Sequence, residues 1–118
     1  MNRKDLEERL IKFAVLIIEL SQNLKNTRAG NHLSGQIVRS GTSPALNYGE
    51  AQSAESHKDF VHKIKVVLKE LRETHINLRI INYADLSQDK NLTFLAIGEC
   101  DELISIYVKS VKTARKDK

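Results

Sequence analysis

The chain has 118 residues, of which 41% are hydrophobic and 29% charged, the size and composition of one folded domain and not of a disordered chain. Its single cysteine, Cys100, excludes an intrachain disulfide and a thiolate metal cluster. The longest unbroken apolar run, residues 13–18, is far shorter than the ~20 residues that cross a bilayer, and the charged start lacks the apolar stretch of a secretory signal. We therefore expect one domain over residues 1–118, without a membrane partner and in the reducing cytoplasm.

The net charge of +4 is unevenly distributed. Residues 57–83 carry six cations against three carboxylates, and residues 109–118 carry five cations against one. Residues 84–108, by contrast, carry one lysine against five carboxylates. Two interpretations stay open: a solvated helix surface with a basic end, or a surface that binds phosphate.

The first element is predicted from apolar residues spaced four and three apart, which form one stripe on an α-helix. They are Leu6, Leu10, Phe13, Ile17, Leu20 and Leu24. Asn2 is the expected N-cap, and Arg9 is expected on the solvent face. Residues 26–31, small and polar around Gly30, are typical of a turn.

The second element, residues 32–53, has few large aliphatic side chains and contains Pro44, which by propensity would break a helix. A polar loop of about twenty residues is improbable inside a small domain. We therefore predict a helix that is kinked at Pro44.

Two further helices follow. Ser56 begins a sequence similar to a capping box, and the apolar spacing then stays helical to about Tyr83. Residues 84–89 predict a turn, residues 91–111 a last helix, and residues 113–118 a frayed basic tail. Because the sequence shows no sustained period-two alternation and the connections are short, we predict an all-α, up-down-up-down antiparallel four-helix bundle.

Motifs of catalysis and metal binding are absent from the sequence: it has no phosphate-binding glycine loop, no HExxH and no GxSxG. His57 and His62 are five residues apart and point in different directions on a helix. Cys100, with no histidine near it in sequence, is expected to be a small core residue. We therefore expect no enzymatic activity, no cofactor, no metal and no small-molecule substrate.

The second and third helices each carry polar side chains at the spacing that an apolar seam normally has. On the second helix these are Gln36, Ser40, Ser43, Asn47 and Glu50, and on the third Asp59, Lys63, Glu70, Glu73 and Asn77. Three arrangements stay open: the stripes face water, they meet each other or a neighbouring subunit, or they line a ligand groove. In the second arrangement Lys63 would balance Glu50.

A family resemblance rests on the run RSGTSPALNYGEA at residues 39–51 and on its continuation through KELRET at residues 69–74. These words resemble the signature of the bacterial 23S rRNA intervening-sequence (S23) family, most strongly over residues 33–81. The resemblance implies an up-and-down four-helix bundle that assembles into rings, typically homopentamers, with no established enzymatic activity. A related bundle that serves as an accessory subunit of a reverse transcriptase is thought to bind RNA.

Two hypotheses about function follow. In the first, the chain is a non-enzymatic oligomeric scaffold that binds RNA or a nucleoprotein partner, with phosphate contacts from Lys65, Lys69, Arg72 and Arg79. In the second, it is a protein–protein assembly module without a nucleic-acid role. In both, Arg39 and the two polar stripes are expected to form a polar interface.

Overall fold

The computed structural model describes residues 1–116 as four α-helices: α1 Arg3–Gln22, α2 Arg28–Gln52, α3 His57–Tyr83 and α4 Lys90–Lys116. Each helix packs against the next, and α4 returns to contact α1. The short connections make neighbouring helices antiparallel, in a body of 48 × 22 × 20 Å. The predicted four-helix bundle is confirmed.

The helix starts are fixed by side chains that accept backbone hydrogen bonds. The Asn2 side chain accepts from the Asp5 amide at 2.9 Å in a capping box, and Ser56 accepts from the Asp59 amide at 3.0 Å, so both predicted caps are confirmed.

The predicted turn at residues 26–31 is wrong over residues 28–31, because α2 begins at Arg28. Thr27 is the N-cap, and its hydroxyl accepts from the Gly30 amide at 3.0 Å. A Cβ at Gly30 would collide with the Lys25 carbonyl. This glycine therefore allows the preceding loop to fold back against the first turn of the helix.

Helix α2 continues unbroken through Pro44, which is buried, so the helix predicted there is confirmed, while the kink stays a prediction. At the far end of the chain, α4 is helical through Lys116 with Ala114 buried, and residues 117–118 of the predicted frayed tail lie outside the described residues. A hydrogen bond of 2.8 Å joins His57 Nε2 to the Ala114 carbonyl and holds the start of α3 against the end of α4.

At the opposite end of the bundle, the two loops that follow α1 and α3 pair through their backbones. The Lys25 amide donates to the Leu86 carbonyl at 2.7 Å, and the Gln88 amide donates to the Asn23 carbonyl at 2.8 Å. Asp85, in the left-handed region at φ 55°, forms ion pairs with Lys90 and Lys25. The hydrogen bond from Lys90 and the charge of Lys25 lower the pKa of the Asp85 carboxyl.

The core runs the length of the bundle and includes Cys100, which is fully buried. Its Sγ donates to the Leu71 carbonyl at 3.2 Å, and burial raises the pKa of the thiol to about 12. The thiol is therefore protonated at neutral pH, and its prediction as a core residue is confirmed. Within residues 1–116, no helix combines the length and the apolar composition needed to cross a bilayer.

The prediction that Arg9 lies on the solvent face is wrong. Arg9 is half-buried and donates to both carboxylate oxygens of Glu99, from Nε at 2.8 Å and from a terminal nitrogen at 2.9 Å. This two-pronged ion pair fixes α4 against α1, the pair of neighbouring helices that touch least. The apolar periodicity of α1 places Arg9 beside the buried stripe, but it does not show that the Glu99 carboxylate on α4 lies within hydrogen-bond distance.

One core hydroxyl lacks a partner. Tyr107 is fully buried, with its ring edge-to-face against Tyr48 at a centroid distance of 5.7 Å, and within the described residues its hydroxyl makes no hydrogen bond. Because an unpaired buried polar group costs about 1–3 kcal/mol, Tyr107→Phe is expected to raise the free energy of unfolding by about 1 kcal/mol. Urea denaturation measures this change.

The matched control is Tyr83→Phe, because Tyr83 is 79% exposed and its hydroxyl faces water in both the folded and the unfolded chain. We expect this control to leave the free energy of unfolding unchanged. A fall in stability for Tyr107→Phe would instead show that the core hydroxyl is satisfied by an internal water molecule.

Candidate nucleic-acid interface

The two predicted polar stripes meet inside the chain, between α2 and α3. Ser40 is fully buried, and its Oγ lies 2.9 Å from Thr74 Oγ1 and accepts from Asn77 Nδ2 at 3.5 Å. The Thr74 hydroxyl lies 2.8 Å from the Glu70 carbonyl. This cluster satisfies polar groups that would otherwise be buried without partners.

Arg39 extends the cluster toward solvent. It donates to Glu70 at 2.9 Å and also to Glu73, so that one guanidinium holds two carboxylates. The Glu70 side chain is 8% exposed, whereas that of Arg39 is 57% exposed. The predicted pair of Lys63 with Glu50 is confirmed at 2.7 Å, and this hydrogen bond raises the pKa of Lys63.

The remaining stripe residues do not join this cluster. Gln36 is exposed, and Ser43 and Asn47 are half-buried and bonded to each other at 2.9 Å. Asp59 lies in the first turn of α3, where its amide is used in the cap. The stripes thus meet each other in part and face water in part, and their contact with a neighbouring subunit stays a prediction.

A second polar surface lies on the other side of α3, as a groove of ≈ 440 Å³ between α3 and α4. We call it the basic groove. Its lining residues are Lys65, Leu68, Lys69, Arg72, Val108, Val111, Lys112 and Arg115. The floor is apolar, and five cations stand around it. Three of the four residues predicted to contact RNA lie here.

The five cations of the basic groove are all exposed, and within residues 1–116 none has a carboxylate within 4.0 Å. Arg9, Arg39 and Lys63, by contrast, are each held by an acidic partner. The positive charge in the groove is therefore not neutralised by the described part of the fold. It is available to an anion that comes from outside.

The groove continues toward the start of α3 in a second depression of ≈ 560 Å³. His57, Lys58, Val61 and His62 line it, together with Lys65 and Arg115, which also line the basic groove. We call this region the imidazole end. From His57 to Arg72 the combined surface follows α3 for about 22 Å, at 1.5 Å per residue.

Sequence reasoning missed the α4 half of this surface, and the predicted contact of Arg79 with RNA stays a prediction. The sequence places Lys112 and Arg115 in a basic end and does not connect them with α3, whereas antiparallel packing sets the end of α4 against the start of α3. Arg79 is exposed but lies two turns beyond Arg72, outside the groove lining. The signal that could have found Lys112 and Arg115 is the register of two helices of equal length.

The groove is built for electrostatic binding. The residues that line it are three lysines, two arginines and three aliphatic side chains, with no carboxylate, hydroxyl, imidazole or thiol among them. Across residues 1–116, no three His, Cys, Asp or Glu side chains gather closely enough to hold a metal ion. Lysine and arginine side chains around an open groove can bind phosphate groups through charge-assisted hydrogen bonds.

These features define a four-helix-bundle protein with a basic groove whose cations form no ion pair within residues 1–116. The sequence profile of the family described as 23S rRNA-intervening sequence protein matches residues 5–109, and the chain belongs to this family. The resemblance predicted from residues 39–51 is thereby confirmed. A comparison of the sequence with curated proteins finds no match.

Among solved structures, the chain is similar to a protein from Bacteroides thetaiotaomicron, described as a protein of unknown function from the S23 ribosomal protein family. The two share 28% sequence identity with a TM-score of 0.83. The alignment covers 95% of this chain and 99% of the other. The likeness therefore extends over the whole four-helix bundle.

Proposed function

We propose that the chain is a non-enzymatic cytoplasmic scaffold that self-associates, as a homopentamer, and binds RNA or a ribonucleoprotein through the basic groove. The observation that carries the RNA part is the set of five cations around one groove, none of which pairs with a carboxylate of the described residues 1–116. The family description names 23S rRNA, and the Bacteroides protein is assigned to a ribosomal protein family, which supports the same ligand class.

The physical basis of this binding is the release of counterions from the RNA backbone. Each cation that neutralises a phosphate releases condensed counterions, so affinity falls steeply as salt rises. Contacts of this kind position a nucleic acid but do not read its sequence. We therefore expect binding that is weakly selective for sequence and strongly dependent on ionic strength.

The test is a fluorescence anisotropy titration of labelled single-stranded RNA at 50 and 200 mM salt. If all five groove cations contact phosphate, the affinity of the native chain is expected to fall about 100-fold over this range. Replacing Lys65, Lys69 and Arg72 by glutamine is expected to weaken binding at 50 mM salt by at least 10-fold. The slope of log affinity against log salt concentration should also decrease by the amount that corresponds to about three lost phosphate contacts.

The matched control neutralises three exposed cations outside the groove, Lys4, Lys12 and Arg28, which changes the net charge equally. This control is expected to change the affinity by less than about 3-fold. An equal loss in both variants would show that the net charge, and not the groove, attracts RNA. An absence of RNA binding by the native chain at 50 mM salt would overturn the RNA proposal.

A protein–protein assembly module is the second candidate, and exposed apolar residues on α1 favour it. Ile11, Val15 and Ile18 recur at spacings of four and three and are 44%, 49% and 38% exposed. Leu95, 61% exposed, lies with Val15 beside the groove between α1 and α4. Native mass measurement with absorbance at 260 and 280 nm separates the two functions, because a scaffold that carries RNA contributes nucleic-acid mass.

A further inference from the structure

We infer that the basic groove takes a single nucleic-acid strand and not a duplex, an inference that rests on the proposed function and specifies its ligand. The first argument is width. Adjacent packed helices have axes about 8–10 Å apart, and the groove lies between two of them. An RNA duplex as a whole is wider than this spacing, so it rests across the groove without entering it, whereas a single backbone can lie along it.

The second argument is the apolar floor. Leu68, Val108 and Val111 form the bottom of the groove between the cations. A duplex stacks its base faces internally and presents phosphate and sugar to a protein, so this floor would gain nothing from it. A single strand has unstacked base faces, and laying them on aliphatic side chains removes apolar surface from water.

The third argument is the position of the cations on both walls. Lys65, Lys69 and Arg72 come from α3, while Lys112 and Arg115 come from α4. The backbone of a single strand that lies in the groove can contact cations of both helices along its path. A duplex that rests on the surface can contact only the cations at the outer edges of the groove. The lining of the basic groove contains no aromatic ring for base stacking, so we expect little preference among base sequences.

The test compares three labelled ligands with the native chain at 50 mM salt: a 12-nucleotide RNA without self-complementarity, its duplex with the complement, and a poly-glutamate peptide of similar charge. The single strand is expected to bind at least 10-fold more tightly than the duplex or the peptide. Val108→Thr keeps the shape of the floor and adds a hydroxyl. It is expected to weaken the single strand about 3-fold and to leave the salt dependence unchanged.

Val15→Thr, at an exposed position of α1, is the matched control and should not change the affinity for the single-stranded RNA. Thermal unfolding verifies that both variants remain folded. Duplex binding equal to or tighter than single-strand binding overturns this inference and leaves the proposed function standing, as does a Val108→Thr variant with native affinity. Failure of both RNA forms to bind overturns the proposed function as well, and tighter binding of the peptide assigns the groove to an acidic protein partner.

Discussion

Replacing Arg39 by alanine is expected to lower the free energy of unfolding by about 3 kcal/mol, at the low end of the range for a broken buried ion pair because Arg39 itself is largely exposed. The loss leaves Glu70, with a side chain 8% exposed, charged and without its cation. It also leaves Glu73, the second carboxylate held by the same guanidinium, without this shared cation. Urea denaturation of the purified variant measures the change.

Two further variants identify the buried carboxylate as the cause. Glu70→Gln added to Arg39→Ala is expected to recover most of the lost stability, because a neutral amide costs less to bury than an unpaired charge. Lys63→Ala breaks the exposed pair with Glu50 and should leave the unfolding midpoint nearly unchanged. If Arg39→Ala were as mild as Lys63→Ala, Glu70 would have to be solvated in the folded protein.

Much of the fold follows from the sequence because three helices bury one apolar stripe each. The spacing of Leu10, Phe13 and Ile17 fixes the buried face of α1, and these residues are 0–1% exposed. Asn2 and Ser56 are short polar side chains directly before such stripes, and both cap their helices. Local periodicity and capping agree with the tertiary structure at these positions, so single-sequence reasoning succeeds.

The start of α2 could not be predicted because its composition favours a turn. Gly30 and the polar residues around it satisfy the usual rules for a loop. The helix nevertheless begins at Arg28, since Thr27 caps it and the absence of a side chain at Gly30 leaves room for the Lys25 carbonyl. That close approach depends on the path of the preceding loop, which residue spacing does not reveal.

The sequence predicts which faces of α2 and α3 carry the two polar stripes, but it does not predict which residues of the two stripes form hydrogen bonds with each other. Spacing shows that Ser40 and Asn77 lie on ridges of their helices, but it does not show that the two ridges face each other. Thr74 completes the contact, and the spacing alone does not single it out, because its small side chain fits an apolar stripe as readily as a polar one. The partners of a polar group are set by the packing of helices, which the sequence pattern leaves open.

Helix α3 separates its charges between its two sides. Toward α2, Glu70 and Glu73 are held by Arg39. Toward α4, Lys65, Lys69 and Arg72 have no acidic partner within residues 1–116. A helix of modest net charge thereby presents a positive face to solvent, and this separation explains how an internal ion-pair network and an external anion-binding surface occur on one helix.

Gly41, which is buried within α2, lies directly against Ile17 of α1. A Cβ at this position would lie 2.6 Å from Cγ2 and 2.8 Å from Cγ1 of Ile17. Ile17 is fully buried and β-branched, so its side chain has little freedom to move away. Gly35, on the same helix, is exposed, and a Cβ there would meet no described atom within 4 Å.

Gly41→Ala is therefore expected to lower the free energy of unfolding by about 1–3 kcal/mol, because overpacking outweighs the gain in helix propensity. Gly35→Ala has the same chemical change without the collision, and it is expected to raise the free energy of unfolding by up to about 1 kcal/mol. Urea denaturation of the two variants should give opposite signs. An Ile17→Ala background removes the contacts with Cγ2 and Cγ1 and keeps the contact with Cβ at 3.0 Å, so Gly41→Ala should cost clearly less there than in the native chain. An undiminished cost would place the obstruction elsewhere than at the Ile17 side chain.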